Sequence, residues 1–305
     1  LMFTLVSEGL LFVFFLIISI HASPANYTFN MILFDAEPQV LTVSTLAVED
    51  INANPSILPN TTINYKYIPV NYNPAIAIEA IINYSNQNET LVIGNLVDDI
   101  AVQSGIVAGV YGVAQLSPTV SATFLSDKST YPYFTSLATP SIDQVNAIVD
   151  VILYYSEKGT GWTDVALICT SEEHGIDTSN NFINIANQND ITIRTFQQFL
   201  VDQTNLQVEL QEVKDSEARV IIAFVFSGYE NLIKSADEFG LVGENYVWFL
   251  SHIVVTILPL FEDETVLELT QGAIGAFQYI PYSGPKYESF IEKWQSLDPI
   301  EYPGA

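Results

Sequence analysis

Short apolar runs alternate along this chain with stretches whose apolar residues recur at three- and four-residue spacing. Residues 27–34 predict a first strand, and Leu41, Leu46, Val48 and Ile51 mark one face of a helix over 38–52. A strand over 63–70, a helix over 74–84 and a strand over 91–94 follow. Asp98 and Asp99 then open a helix that reaches 111, where their charge suits the positive end of the helix dipole. Residues 113–117 and 133–137 predict two more strands, after which Pro140 stops the chain and Ser141 is placed to cap a helix over 141–155. The alternation resumes with strand 165–170, helix 176–187, strand 191–199, helix 205–215, strand 219–226 and helix 229–239. Strands over 246–250 and 272–279 and an amphipathic helix over 286–297 complete it.

Regular alternation of this kind predicts an α/β fold with parallel sheets. So many strands fit two lobes better than one sheet, with crossings at 137–141 and 279–285. The expected division is lobe 1 over 25–138, lobe 2 over 139–280, and a return toward lobe 1 over 281–305. Ligands of parallel sheets sit where strands end and helices begin, so the loops 95–99 and 117–123 should line one crevice. The run 247–261, VWFLSHIVVTILPLF, is too short and too interrupted to span a membrane and reads as a buried strand with its following loop. Gly105, Gly109 and Gly112 fall inside a helix, where they are expected to allow close packing rather than cradle a phosphate.

Charge narrows the function classes. Nine Lys plus Arg stand against 35 Asp plus Glu, a formal net charge of -26. No basic stripe exists to neutralise nucleic-acid phosphates or to hold an anionic membrane surface. The single cysteine, Cys169, cannot pair within the chain and lies in an apolar strand, so a buried inert thiol is expected. The run 10–20 followed by His21-Ala22-Ser23 predicts a signal peptide over 1–22, although no basic residue precedes it. Sequons at Asn26, Asn60, Asn83 and Asn88 agree with a secreted glycoprotein. Histidine is present at 21, 174 and 252, and no nucleophile elbow or metal-ligand spacing accompanies it. Catalysis, a metal and a cofactor are therefore not expected.

The stretch 91–135 carries a longer ordered pattern. An apolar run closes on Ile93-Gly94, a helix and a strand follow, and Leu125-Ser126-Asp127-Lys128 leads into an aromatic strand. It resembles the ligand-binding region of the Venus-flytrap receptors: class C G-protein-coupled receptors, natriuretic-peptide receptors and bacterial type I periplasmic binding proteins. The resemblance covers roughly 27–297 and implies two parallel-sheet lobes joined by a hinge, which close on a small polar ligand. In the amino-acid receptors of this family a serine after Ile-Gly and a Ser/Thr pair before Leu-Ser-Asp grip the ligand. Those positions fall here on Asp98 and on Thr119 and Ser121. An ionised Asp98 facing a ligand carboxylate would repel it unless a cation intervened, and the alternative for Asp98 is a helix cap facing solvent. On lobe 2 the family's aromatic and acidic positions fall on His174 and on Ser251-His252, both departures. Asp98, Thr119, Ser121, His174 and Ser251 are the expected ligand-binding residues. The family further implies a receptor dimer through lobe 1 and membrane attachment beyond Ala305, so the chain is expected to be a piece of a longer receptor. A class C receptor output is preferred; a receptor guanylate cyclase or a soluble uptake protein is the alternative.

Overall fold

A computed structural model describes residues 27–35, 38–87, 91–94, 96–279 and 282–304. The expected signal peptide and the sequons at Asn26 and Asn88 lie outside these residues. Lobe 1 holds β1 (Tyr27–Asp35), β2 (Thr61–Pro69), β3 (Leu91–Ile93), β4 (Ala114–Ser117) and β5 (Phe134–Ser136), in the spatial order β2-β1-β3-β4-β5. Lobe 2 holds β6 (Asp164–Thr170), β7 (Thr192–Phe199), β8 (Val220–Phe224), β9 (Val247–Leu250) and β10 (Ile274–Gly275), in the order β10-β9-β8-β6-β7. Every strand pair in both sheets is parallel, as the βα alternation predicts.

Helices cover both faces because the strands are apolar on both. In β6, Val165, Leu167 and Cys169 face α4 (Ser141–Glu157) and α5 (Glu173–Gln188), packing with Val145, Ile148, Ile152 and Phe182. The intervening Ala166 and Ile168 face the other way, onto Leu210 of α6 (Gln207–Asp215) and Leu232 of α7 (Tyr229–Glu238). This is the period of two of a strand buried on both sides. Lobe 1 repeats the arrangement. Ile32 and Phe34 of β1 pack with Ile81 of α2 (Pro74–Ser85) and Ile100 of α3 (Asp98–Tyr111), whereas Met31 packs with Val48 of α1 (Pro38–Ala53). Cys169 is fully buried and its thiol is pushed up to about 11 by burial, the inert state expected of it.

Several boundaries differ from the sequence reading, each for a local reason. The stretch 247–261 is β9 followed by a short helix α8 (His252–Ile257) and a 3-10 turn, since Ser251 accepts the Val254 N–H and caps a helix there. Helix α9 (Glu264–Leu269) starts behind Asp263, whose carboxylate accepts from Thr265 N. Only Ile274 and Gly275 of the expected strand 272–279 pair with β9, and the rest leaves the sheet. Ser141 is the first residue of α4 rather than its side-chain cap, and Gly112 ends α3 at φ 67 instead of packing. Gly105 and Gly109 do pack, against Tyr131 and Pro132.

Thr139 N, within the first crossing, donates to Gln278 Oε1, just before the second begins. Beyond the second, α10 (Pro285–Gln295) returns to α1: Lys293 pairs with Asp50 at 2.6 Å, and Thr42 Oγ1 donates to Pro303 O at 2.7 Å. Over the described residues the chain thus passes from the first sheet to the second and back to α1 of the first. No helix among the described residues is long and apolar enough to cross a membrane.

Candidate functional site

The strand orders reverse beside β1 and β3 in lobe 1 and beside β6 and β8 in lobe 2, and ligands of open parallel sheets bind outside such switch points. Gly94 follows β3 at φ 130, tight against the Phe34 backbone, and lets the chain turn into α3. Asp98 stands in the first turn of that helix, 6% exposed. The solvent-facing alternative for Asp98 is therefore overturned. Its Oδ1 accepts the backbone N–H groups of Ser121 and Ala122, at 3.1 and 2.8 Å, and so fastens the loop after β4 to the helix start.

Across the cleft, α5 begins at Glu173, three residues before the expected start, because the Glu172 side chain accepts the Gly175 N–H and caps it. His174 thereby lies in the first turn, 2% exposed, with Nδ1 3.6 Å from Asp98 Oδ2 and 3.4 Å from Ser121 Oγ. Its Nε2 is buried without a hydrogen-bond partner. The His252 ring meets it edge-on at 5.1 Å between centroids. Burial, with His174 adding to it, pushes His252 down to about 4. The surrounding bonds agree with a neutral ring: Gln144 Oε1 accepts the backbone N–H of His252, which leaves the Gln144 side-chain NH2 to donate to the ring Nδ1 at 3.0 Å.

A second polar junction lies nearer the crossings. Asp177, 8% exposed on α5, accepts from Thr123 N at 3.0 Å, from Asn181 Nδ2 at 3.1 Å and from the Ser141 hydroxyl. Thr123 Oγ1 and Ser141 Oγ are themselves 3.0 Å apart. Where the loops after β6 and β7 face the start of α3 lies an open depression of about 690 Å³, lined by Asp99 of lobe 1 and by Ser171, Glu172, Leu200, Asp202 and Gln203 of lobe 2. Glu172 Oε1 is held by Thr170 and Gly175, whereas its Oε2 is buried without a partner. The site is strongly acidic. Burial and then the charges of Asp99, Asp98 and Asp177 raise the Glu173 carboxyl above its ordinary range.

Of the residues expected to bind a ligand, the structure brings Asp98, Ser121 and His174 into one buried cluster. Thr119 stands at its edge and donates to Leu96 O at 2.8 Å. Ser251 is fully buried and turned away, donating to Val225 O at 2.7 Å and capping α8. Sequence reasoning missed Gln144, Asp177, Asn181, Glu172 and Asp202. The spacing of Asp177 and Asn181 places them on one face of α5, and a polar i, i+4 pair reads as a solvated face until a second lobe covers it.

Residues 39–301 match the family described as "Receptor family ligand binding region". The chain is 25% identical over 271 residues to the extracellular calcium-sensing receptor of Sus scrofa, covering 81% of this chain and 24% of the receptor. It is 25% identical over 171 residues to glutamate receptor 2.1 of Arabidopsis thaliana, covering 55% of this chain and 18% of that protein. A metabotropic glutamate receptor-like protein E of Dictyostelium discoideum is 24% identical over 155 residues, 48% of this chain and 18% of the other. The chain spans less than a quarter of the length of these relatives. With two parallel-sheet lobes of the type I periplasmic-binding-protein architecture and a family match over most of its length, the chain belongs to the receptor family of ligand-binding regions.

Proposed function

We propose that this chain is the extracellular sensor of a membrane receptor of the class C kind, a binding module rather than an enzyme, in which a small polar solute binds between the lobes. The observation that carries the reading is the acidic depression at the mouth of the cleft, with Asp99 on the lobe 1 side and Glu172 and Asp202 on the lobe 2 side. Closure about the two crossings would reduce the exposed surface of that depression, and a solute that binds the closed form better shifts the population toward it. The names of the relatives supply two ligand classes, calcium and glutamate. The sign of the lining favours a cation over an anion. Among the described residues no group of three or more His, Cys, Asp or Glu is placed to hold a metal ion, so an organic cation or a neutral amine fits better than a bare divalent ion.

Exposed Asn60 and Asn83 suit glycosylation in the secretory pathway. Ile106, Val110 and Tyr111 of α3 are 47%, 79% and 45% exposed, which supports self-association through lobe 1. The test is a calorimetric screen of the secreted protein against arginine, lysine, small amines, betaine, glutamate and calcium. Saturable binding of an amine that weakens in Glu172→Gln and Asp202→Asn is expected. Tight glutamate binding unaffected by those changes would refute the proposal.

A further inference from the structure

Three consecutive backbone amides of lobe 1 end on carboxylates of the protein itself. Ser121 and Ala122 N–H donate to Asp98, and Thr123 N–H donates to Asp177 of lobe 2. The first two converge on a single oxygen, Asp98 Oδ1, an arrangement of backbone N–H groups that binds anions. Asp98 fills it from within lobe 1 and presents its second oxygen to His174 of lobe 2, with Asp98, Ser121, Ala122 and His174 all less than 7% exposed. Two amides from one lobe and an imidazole from the other are the contacts by which a small carboxylate solute would join the lobes. We infer that Asp98 is an internal ligand, a tethered carboxylate that occupies the anion subsite of the cleft and ties lobe 1 to lobe 2.

Two consequences follow from the occupied subsite. Free carboxylates are excluded from it, so solutes of the cleft are selected through the remaining acidic depression. The closed form is also partly stabilised by the chain's own bridge, so that a solute acts on an equilibrium already biased toward closure. Asp177 works in the opposite direction, from lobe 2 to the Thr123 amide, and the two carboxylates together satisfy the whole run. The inference rests on reading the cleft as the sensing site, but its chemistry is tested separately.

The test is chemical rescue in the full chain. Asp98→Ala empties the subsite, and small-angle scattering of that variant should show a larger radius of gyration than the unmodified protein. Formate or acetate should bind it saturably, about tenfold or more tighter than they bind the unmodified protein, and should restore the compact profile. His174→Gln, which leaves the lobe 1 amides and Asp98 intact, should expand the protein without creating formate binding. This variant keeps the test open if Asp98→Ala fails to fold. A compact, formate-insensitive Asp98→Ala protein overturns the inference, as does a His174→Gln protein that stays as compact as the parent. Rescue by formate in a protein to which no amine binds would support the internal ligand while removing the amine-sensor reading. Amine binding with no formate effect would do the reverse.

Discussion

Acidification should loosen the second lobe by an amount that His252 sets. A free imidazole titrates near 6.5, and that of His252 is pushed down to about 4 by burial, with His174 adding to the shift and Asp98 opposing it. As pH falls below 6.5 the unfolded chain takes up a proton at this position, and the folded chain does not until about 4. Over that window the unfolded state binds more protons, so stability falls with pH. The loss is complete at the lower value and absent above the upper one. A gap of about 2.5 in pKa at about 1.4 kcal/mol each amounts to roughly 3 kcal/mol. The hydrogen bonds act in the same direction, because a protonated Nδ1 would turn its N–H toward the Gln144 amide that now donates to it. The assay is urea unfolding at neutral pH and at about pH 4, followed by the fluorescence of Trp162 and Trp248, both packed in lobe 2. His252→Gln should lose about 3 kcal/mol less on acidification than the parent. Glu173 has the opposite sign, its raised carboxyl gaining stability as pH drops, but it is retained in both proteins and cancels in the difference. Equal acid losses in parent and variant would refute the reasoning, for they would mean that the folded ring already carries its proton or sits in water.

Other changes test other parts of the frame. Asp177→Ala strands the Thr123 N–H, leaving Ser141 and Asn181 only each other and the Thr123 hydroxyl as partners, and should cost about 1–3 kcal/mol in a thermal melt, part of it recovered in Asp177→Asn. Gly94→Ala should abolish folded, secreted protein as judged by yield and circular dichroism. The residue sits at φ 130, and an added Cβ would overlap the Phe34 carbonyl. Tyr229→Phe removes a 2.9 Å bond to Thr270, whose hydroxyl keeps Val266 O as partner, so a loss of only about 0.5–1.5 kcal/mol with unchanged solute binding is expected in denaturation and calorimetry.

The sheets were legible in the sequence because strands buried on both faces leave near-continuous apolar runs. VALIC in β6 and VIIAF in β8 could hardly be anything else once helices flanked them. The short pieces were not. Helix α8 is too brief to show a period, and its only signal is the Ser251 hydroxyl, which the family alignment instead drew toward the ligand. In the site, Asp98, Ser121 and His174 were found through the family resemblance, and for Asp98 and Ser121 the convergence of strand-end loops in a parallel sheet pointed to the same crevice. What Asp98 does there was hidden, since a carboxylate that accepts backbone N–H groups of residues 23 and 24 positions away leaves no local pattern. The Asp177 junction was missed for a related reason: the polar face of a helix carries no mark that distinguishes water from a neighbouring lobe.

The return of the chain from the second sheet to α1 bears on how the molecule is made. Chain emerging from a ribosome completes the five described strands of the second sheet while the first still lacks the contacts of α10. Lobe 2 has its ends side by side, at Thr139 and Gln278, and can condense as a unit on contacts that are mostly local to it. The contacts that fasten α10 and the segment after it to α1 span 243 and 261 residues, between Asp50 and Lys293 and between Thr42 and Pro303. Their loop-closure entropy is large in the open chain and falls sharply once lobe 2 has folded and brought the two crossings together. The second sheet therefore acts as a clasp for the contacts between α10 and α1, and a substitution that slows its folding should delay their closing, far from the residue changed.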